Sequence, residues 1–171
     1  MSNSREYLLG LLKDLIDRKV MFIVCGGVAA VLHGVERLTI DIDLALSMSR
    51  DNLENFLSVM KKENMIPRAP IPAESILDKE IVQAIVDQKG AVVFTFIDPK
   101  NPFKQVDFFL TEDKSYETLI DETVKIKLEE GYSLHILTID KLIEMKSAID
   151  PPRDKDLSDI AALERIKSSR K

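Results

Sequence analysis

The chain has 171 residues, 45% of them hydrophobic and 31% charged, which is typical of one folded domain with a substantial core. Its net charge of −5 gives no overall indication of nucleic-acid binding. The single cysteine, Cys25, excludes an intrachain disulfide and suits a reducing compartment. We find neither a signal-peptide pattern nor an apolar run near the ~20 residues that span a bilayer, so we expect a cytoplasmic protein without membrane contact.

The first third of the chain predicts a helix, a buried strand and a second, short helix. Residues 4–18 place their leucines and isoleucines on one helical face. Residues 20–25 form a short apolar run rich in β-forming side chains, which indicates a buried strand. Gly26 and Gly27 end this run, and we expect residues 28–34 to form the short helix that follows.

Residues 38–46 alternate strictly between apolar and polar side chains, as expected of a strand with one buried face. Thr39, Asp41 and Asp43 share the polar face. The opposite face carries the apolar side chains of Leu38, Ile40, Ile42 and Leu44. The alternation therefore places two aspartates side by side on one strand.

The rest of the chain predicts helices and strands in mixed order. In chain order these are a helix begun by Ser49 or Asp51, a proline-rich loop at 65–73, a helix at 74–88, a β-hairpin with strands at 91–97 and 104–110, a short helix near 116–120, strands at 124–128 and 134–137, a helix at 139–149 capped by Thr138, and a last helix at 155–167. This order predicts an α+β fold, a mixed sheet with helices packed on it. We expect one domain over residues 1–171, with a core at about 19–137 and a helical C-terminal segment at about 138–168.

Asp41 and Asp43 are the first candidate site. On a strand, residues i and i+2 emerge on the same face with Cα atoms about 6.5–7 Å apart. Two neighbouring carboxylates in a cleft repel each other unless a cation lies between them, and Mg²⁺ or Mn²⁺ is the hard cation that suits carboxylate oxygen. The alternative interpretation is an amphipathic strand with two solvated aspartates.

Gly26 and Gly27 are the second candidate site. A strand followed by two glycines and a helix presents backbone N–H groups at the positive end of the helix, which suits a phosphate. Most glycine pairs are only turns, so the order matters: strand, glycines, helix and then the strand with Asp41 and Asp43. Asp107 is the candidate third carboxylate, because it is a lone charge in an apolar run. A solvent-facing Asp107 is the alternative.

This arrangement resembles the signature of the DNA polymerase β-type nucleotidyltransferase superfamily. The resemblance rests on the run CGGVAAVLHGVERLTIDIDLAL, with Asp107 on a later strand. Arg37 and Thr39 before the aspartates, and the tail LIEMKSAIDPPRDKDLSDIAAL, are similar to AbiEii and MenT-like toxins and to minimal nucleotidyltransferases. The resemblance implies that Lys146 and Asp156 complete a nucleotide pocket, flanked by Arg153, Lys155 and Asp159.

The resemblance implies a magnesium- or manganese-dependent enzyme that moves a nucleotidyl group from an NTP such as ATP to an acceptor hydroxyl, releasing pyrophosphate. Asp41, Asp43 and Asp107 would hold the metal ions and act in catalysis. Gly26, Gly27, Arg37, Thr39, Lys146 and Asp156 would bind the nucleotide. The toxin families suggest tRNA or protein as the acceptor and a cognate antitoxin as a partner. The chain lacks the extended C-terminal helical region of the larger toxins.

Four alternatives stay open at the level of the sequence. One is that the chain is a catalytically degenerate module that binds nucleotide or a partner. Another is that its acceptor is a small molecule such as an aminoglycoside. The third is that Lys146 is only a surface lysine. The fourth is that Asp156 is only a residue at the N-terminus of a helix, where its charge interacts favourably with the macrodipole. The position of Asp107 relative to Asp41 and Asp43 discriminates between an active and a degenerate site.

Overall fold

The computed structural model describes residues 2–170. Its strands are β1 (Phe22–Cys25), β2 (Ile42–Leu46), β3 (Ile66–Pro67), β4 (Val93–Asp98), β5 (Asn101–Phe109), β6 (Thr123–Glu129) and β7 (Tyr132–Leu137). Its α-helices are α1 (Ser2–Asp17), α2 (Gly26–His33), α3 (Arg50–Lys62), α4 (Lys79–Lys89), α5 (Tyr116–Leu119), α6 (Ile139–Ser147) and α7 (Asp154–Ser169). Within the described residues, no helix is both long and apolar enough to cross a membrane.

The seven strands form one mixed sheet in the order β3-β4-β5-β2-β1-β7-β6. The sequence-adjacent pairs β1–β2, β3–β4, β4–β5 and β6–β7 are antiparallel. β2 pairs in parallel with β5, and β1 pairs in parallel with β7. These two parallel pairings join the N-terminal strands to the hairpins that follow them and place β2 at the centre of the sheet. The α+β prediction is confirmed.

The aromatic part of the core lies between α3 and the centre of the sheet. Phe56 of α3 is fully buried and packs edge-to-face on Phe96 and Phe108, with ring centroids 5.7 Å and 5.4 Å away. Edge-to-face rings bring the positive edge of one to the negative face of the next. This packing fixes one face of β4 and β5, and so the residues between these phenylalanines point to the opposite face.

Two predicted elements differ from the structure. The predicted strand 38–46 begins only at Ile42, so Asp41 lies just before β2, and Leu38 is 81% exposed. The antiparallel pairing of β1 ends at Cys25↔Asp43, where the chain turns into α2, so residues before Ile42 have no partner there. The predicted helix 74–88 is interrupted at Asp78, because the Asp78 carboxylate accepts from the backbone N–H groups of Glu80 and Ile81 and starts a new helix.

The remaining elements follow the prediction with small shifts in their ends. α2 begins at Gly26 instead of Val28. Its last residue is His33, and Gly34, which follows, has the left-handed φ of 112° that favours glycine. The proline-rich loop contains the short strand β3. Thr138 caps α6 as predicted, since its hydroxyl accepts from the backbone N–H of Lys141. α6 and α7 pack on each other beside α2 and form the predicted C-terminal helical pair.

Candidate active site

The turn from β1 into α2 lies directly against the aspartate of β2. Gly26 has a φ of +57°, and a Cβ atom added there would lie 2.0 Å from Oδ2 of Asp43. At position 26 there is no room for a side chain larger than hydrogen, because the Asp43 carboxylate occupies that space. The left-handed backbone conformation favours glycine at this position as well. The glycine therefore allows the N-terminus of α2 and the Asp43 carboxylate to approach each other.

Asp43 and Asp107 are neighbours on adjacent strands. The parallel register of β2 and β5 pairs Asp43 with Asp107, so both side chains point to the same face of the sheet. Asp41 lies two residues before Asp43 on the same side. Burial, followed by the charges of Asp107 and Asp41, raises the pKa of Asp43 to about 6. Burial and the charge of Asp107 also raise the pKa of Asp41.

The Asp107 carboxylate is held on both oxygens by uncharged donors. Thr95, opposite Asp107 in the β4–β5 hairpin, donates its hydroxyl to Oδ1 at 2.5 Å. Gln105 donates its side-chain amide to Oδ2 at 3.2 Å. Asp41 and Asp43 receive no hydrogen bond or ion pair on their carboxylates from the residues that the structure describes. The cluster thus has one fixed carboxylate beside two without a protein partner.

A chain of alternating charges forms the opposite wall. Lys146 of α6 is 8% exposed, and its ammonium lies 2.8 Å from Asp159 Oδ2 and 3.4 Å from Asp156 Oδ1. Arg37 donates to the same Oδ2 of Asp159 at 2.5 Å, and Arg153 donates to Asp156 at 2.5 Å. Burial opposes ionisation of Asp156, but the Arg153 hydrogen bond and the Lys146 charge outweigh it and lower its pKa. Three cations face two carboxylates here, so the wall keeps a net positive charge.

Gly27 lies against the first residue of this charged wall. A Cβ at Gly27 would be 3.1 Å from Thr39 Oγ1 and 3.2 Å from Arg37 Cζ. Such contacts are tight, so the absence of a side chain lets the Arg37 guanidinium lie close to the start of α2. The positive end of the helix and a cation therefore occupy the same corner of the site.

A single cleft of about 400 Å³ brings all of the predicted site residues together. Its walls include Gly26, Gly27, Arg37, Thr39, Asp41, Asp43, Asp107, Lys146 and Asp156. They also include Arg153 and Lys155 on the charged side and an apolar surface formed by Val93, Phe109, Leu142 and Met145, among others. The volume lies within the range of small-molecule sites, about 300–1,000 Å³.

Sequence reasoning missed Thr95 and Gln105, which hold the Asp107 carboxylate in place. It named Asp159 only as flanking the nucleotide pocket, whereas in the structure Asp159 joins Arg37 to Lys146. The alternation along β5 was a usable signal, because residues 105, 107 and 109 must share a face. The role of Asp159 had no local signal, since its partners lie 122 and 13 residues away along the chain.

The carboxylate cluster suits a divalent cation in its chemistry. Carboxylate oxygens are the ligands that Mg²⁺ and Mn²⁺ prefer, and two unpaired carboxylates beside a third leave negative charge uncompensated. Within residues 4–170, no three His, Cys, Asp or Glu side chains are grouped closely enough to form a complete set of ligands. Mg²⁺ commonly keeps waters and takes substrate phosphates as further ligands, so one or two carboxylates are sufficient protein ligands.

Comparison with known proteins gives a likeness in structure. No family model matches the sequence, and no curated protein matches it. A solved structure of a lincosamide antibiotic adenylyltransferase, LnuA, bound to lincomycin, is similar over 97% of this chain and 98% of that one, with a TM-score of 0.59 and 15% sequence identity. The chain therefore has the fold of a nucleotidyltransferase.

Proposed function

We propose that the protein is a metal-dependent nucleotidyltransferase, which moves a nucleotidyl group from an NTP to an acceptor hydroxyl and releases pyrophosphate. One observation carries the proposal. Asp41, Asp43 and Asp107 lie together beside the glycine turn that starts α2, within one cleft. If Asp107 faced away from the other two, the degenerate alternative would be favoured; the β2–β5 register places it beside Asp43 instead.

The β- and γ-phosphates bind at the start of α2. The free backbone N–H groups of the first helical turn point toward this corner, and the helix dipole favours negative charge there. Arg37 lies against Gly27 and brings to this corner a guanidinium that is paired with Asp159. The net positive wall behind Arg37, which contains Lys146 and Arg153, keeps the charge balance favourable for a polyphosphate.

Asp41 and Asp43 would hold Mg²⁺ or Mn²⁺, which would offset the charge of the phosphates and orient them for an in-line displacement. Asp107 accepts the proton of the acceptor hydroxyl. Thr95 and Gln105 keep the Asp107 carboxylate in place while it does so. The acceptor oxygen forms a bond to the α-phosphorus, the bond from that phosphorus to the bridging oxygen breaks, and pyrophosphate leaves toward Arg37.

Lys146 and Asp156 support this corner from behind. The Lys146 ammonium already binds Asp156 and Asp159. We therefore assign it two effects: it attracts the phosphates over a longer distance, and its ion pairs hold α6 against α7. Asp156 in turn orients Lys146 and Arg153. This differs from the nucleotide binding that the resemblance implies for Lys146.

The acceptor is the finer part of the proposal. The toxin resemblance suggests tRNA or protein and an antitoxin partner, and this stays a prediction. The lincosamide adenylyltransferase matches nearly end to end and is named for a small-molecule substrate. Its likeness favours a small molecule as the acceptor of this chain as well.

The test combines each α-labelled NTP and Mg²⁺ or Mn²⁺ with total RNA, total protein or small molecules that include lincomycin and an aminoglycoside. We expect labelled product from one acceptor pool, released pyrophosphate, and loss of both in Asp41→Ala and Asp43→Ala. Asp87→Ala is the control, because Asp87 is exposed on α4, away from the cleft. Product formation by Asp43→Ala at the wild-type rate would contradict the assignment of the carboxylates.

A further inference from the structure

The strand order of the sheet sets the site groups out in a line. From β1 across to β4, they are Gly26 at the end of β1, Asp43 on β2, Asp107 on β5 and Thr95 on β4. Neighbouring strands are about 4.8 Å apart, so this line runs across the sheet for about 14 Å. The glycine turn and the Asp107–Thr95 pair therefore lie at opposite ends of one row.

The chemistry of nucleotidyl transfer assigns a role to each end of this row. The attacking and leaving oxygens lie roughly in line through the phosphorus. If the leaving pyrophosphate lies at the Gly26 end, the acceptor hydroxyl approaches from the opposite end, where Asp107 lies. The cleft lining around the Asp107–Thr95 pair then contacts the acceptor.

Along the strands, one side of the Asp107–Thr95 pair is apolar and aromatic, and the other side carries Gln105. Phe109 follows Asp107 on the same face of β5, and Val93 lies opposite Phe109 on β4. Val92, 50% exposed, and Phe109 line the cleft together with Val93. The Lys114 ammonium lies 5.3 Å from the centre of the Phe109 ring. Partly exposed apolar side chains next to a reaction centre are unfavourable in water until a ligand covers them.

The charges of the cleft are divided unequally between its two ends. Arg37, Lys146 and Arg153 belong to the phosphate side. Of the described residues that line the cleft, Lys114 is the cation on the β4–β5 side, and its ammonium is already placed over Phe109. Arg68, outside the lining, also lies on this side, and its guanidinium donates to Gln105 Oε1 at 2.5 Å. Proteins that bind nucleic acid follow its backbone with several cations, whereas the lining of this side provides one.

We propose that the Val93–Phe109 surface is the acceptor subsite and that its ligand is a small hydroxylated molecule with an apolar or aromatic face. The inference rests on the proposed function, because the in-line geometry applies only if a nucleotidyl group is transferred. Phe109 stacks against the apolar face of the acceptor, and Asp107, two residues away, receives the proton of its hydroxyl. Lys114 contacts a polar or anionic group at the edge of the ring.

The test uses labelled NTP and Mg²⁺ with four acceptor pools: low-molecular-weight metabolites retained on a reversed-phase column, metabolites not retained, total RNA and total protein. Phe109→Ala and the milder Phe109→Leu are compared with Phe103→Ala, a matched control. Phe103 lies on the same strand, is 78% exposed and lies outside the cleft. Circular dichroism verifies that each variant is folded.

We expect label in the retained small molecules, and this label should require Asp43. Phe109→Ala should lower kcat/KM for that acceptor at least about tenfold, since a lost apolar contact is worth roughly 10–200-fold. Phe109→Leu should have a smaller effect in the same direction. The affinity for NTP, measured by titration calorimetry, should stay within about twofold, because the variant removes no phosphate contact. Phe103→Ala should change neither quantity.

Two results would overturn the subsite while leaving nucleotidyl transfer intact. The first is label that requires Asp43 but appears only in RNA, protein or the unretained metabolites. The second is a Phe109→Ala variant that weakens NTP binding and spares the acceptor, which would mean that the apolar surface holds the base of the nucleotide. The absence of any product that requires Asp43 from all four pools would refute the proposed function, and the subsite with it.

Discussion

The Asp43 carboxylate should destabilise the folded protein when no cation is bound. Its pKa is raised from 3.8 to about 6 by burial and by the charges of Asp107 and Asp41. A difference of one pKa unit between the folded and unfolded states corresponds to 1.36 kcal/mol, so the charged group costs at most about 3 kcal/mol. Water in the open cleft screens part of this interaction, and we expect a cost of about 1–3 kcal/mol.

Asp43→Asn removes the charge and nearly conserves the shape. At pH 8 in a chelator, we expect the variant to have a free energy of unfolding about 1–3 kcal/mol above that of the wild type. The sign follows from a raised folded-state pKa in an acid: the cost is fully present above about pH 6. It disappears as the pH falls through 6 toward the unfolded value of 3.8. The advantage of the variant should therefore shrink between pH 6 and pH 4.

Urea unfolding followed by circular dichroism measures this difference, because the chain has no tryptophan for fluorescence. Asp87→Asn serves as the control, with an expected change below about 0.5 kcal/mol for an exposed site. Added Mg²⁺ or Mn²⁺ should stabilise the wild type and leave Asp43→Asn nearly unchanged, since a ligand stabilises only the state that binds it. An Asp43→Asn variant no more stable than the wild type in chelator would refute this reasoning.

Three further substitutions test the packing around the site, each by urea unfolding. Gly26→Ala should lower the free energy of unfolding by several kcal/mol more than Gly90→Ala. Both glycines have φ near +60°, but only at Gly26 would an added Cβ lie 2.0 Å from a carboxylate oxygen. Equal losses of stability would refute this contact. Asp159→Ala should lower the free energy of unfolding by about 3 kcal/mol, since it removes the carboxylate of Arg37 and leaves buried Lys146 with the longer contact to Asp156 alone. Asp140→Ala, the control, breaks an exposed ion pair and should lower the free energy of unfolding by less than about 1 kcal/mol. Similar losses for Asp159→Ala and Asp140→Ala would count against a buried network around Asp159. Phe56→Ala should cost about 3–5 kcal/mol, and a loss below 1 kcal/mol would contradict its central packing.

The local elements of the fold were predictable from the sequence, because each follows from a short-range rule. Helical spacing of apolar residues predicted α1, and the proline turn between two β-forming runs predicted the β4–β5 hairpin. The strand, Gly26, Gly27 and α2 also follow one another directly in the sequence. Asp78 shows the limit of periodicity, because its cap divides a segment whose apolar spacing predicts one continuous helix.

The candidate site combines both kinds of information. The sequence by itself determined the residue types, the glycine turn and the pair Asp41 and Asp43, since these depend on backbone geometry within a few residues. Only the tertiary structure decided that Asp107 lies beside Asp43, because the parallel pairing of β2 and β5 joins residues 64 positions apart. It alone also decided that Asp159 binds Lys146 and that Phe109 lines the cleft. Such contacts depend on how strands and helices pack across the whole domain, and no short-range rule in the sequence specifies them.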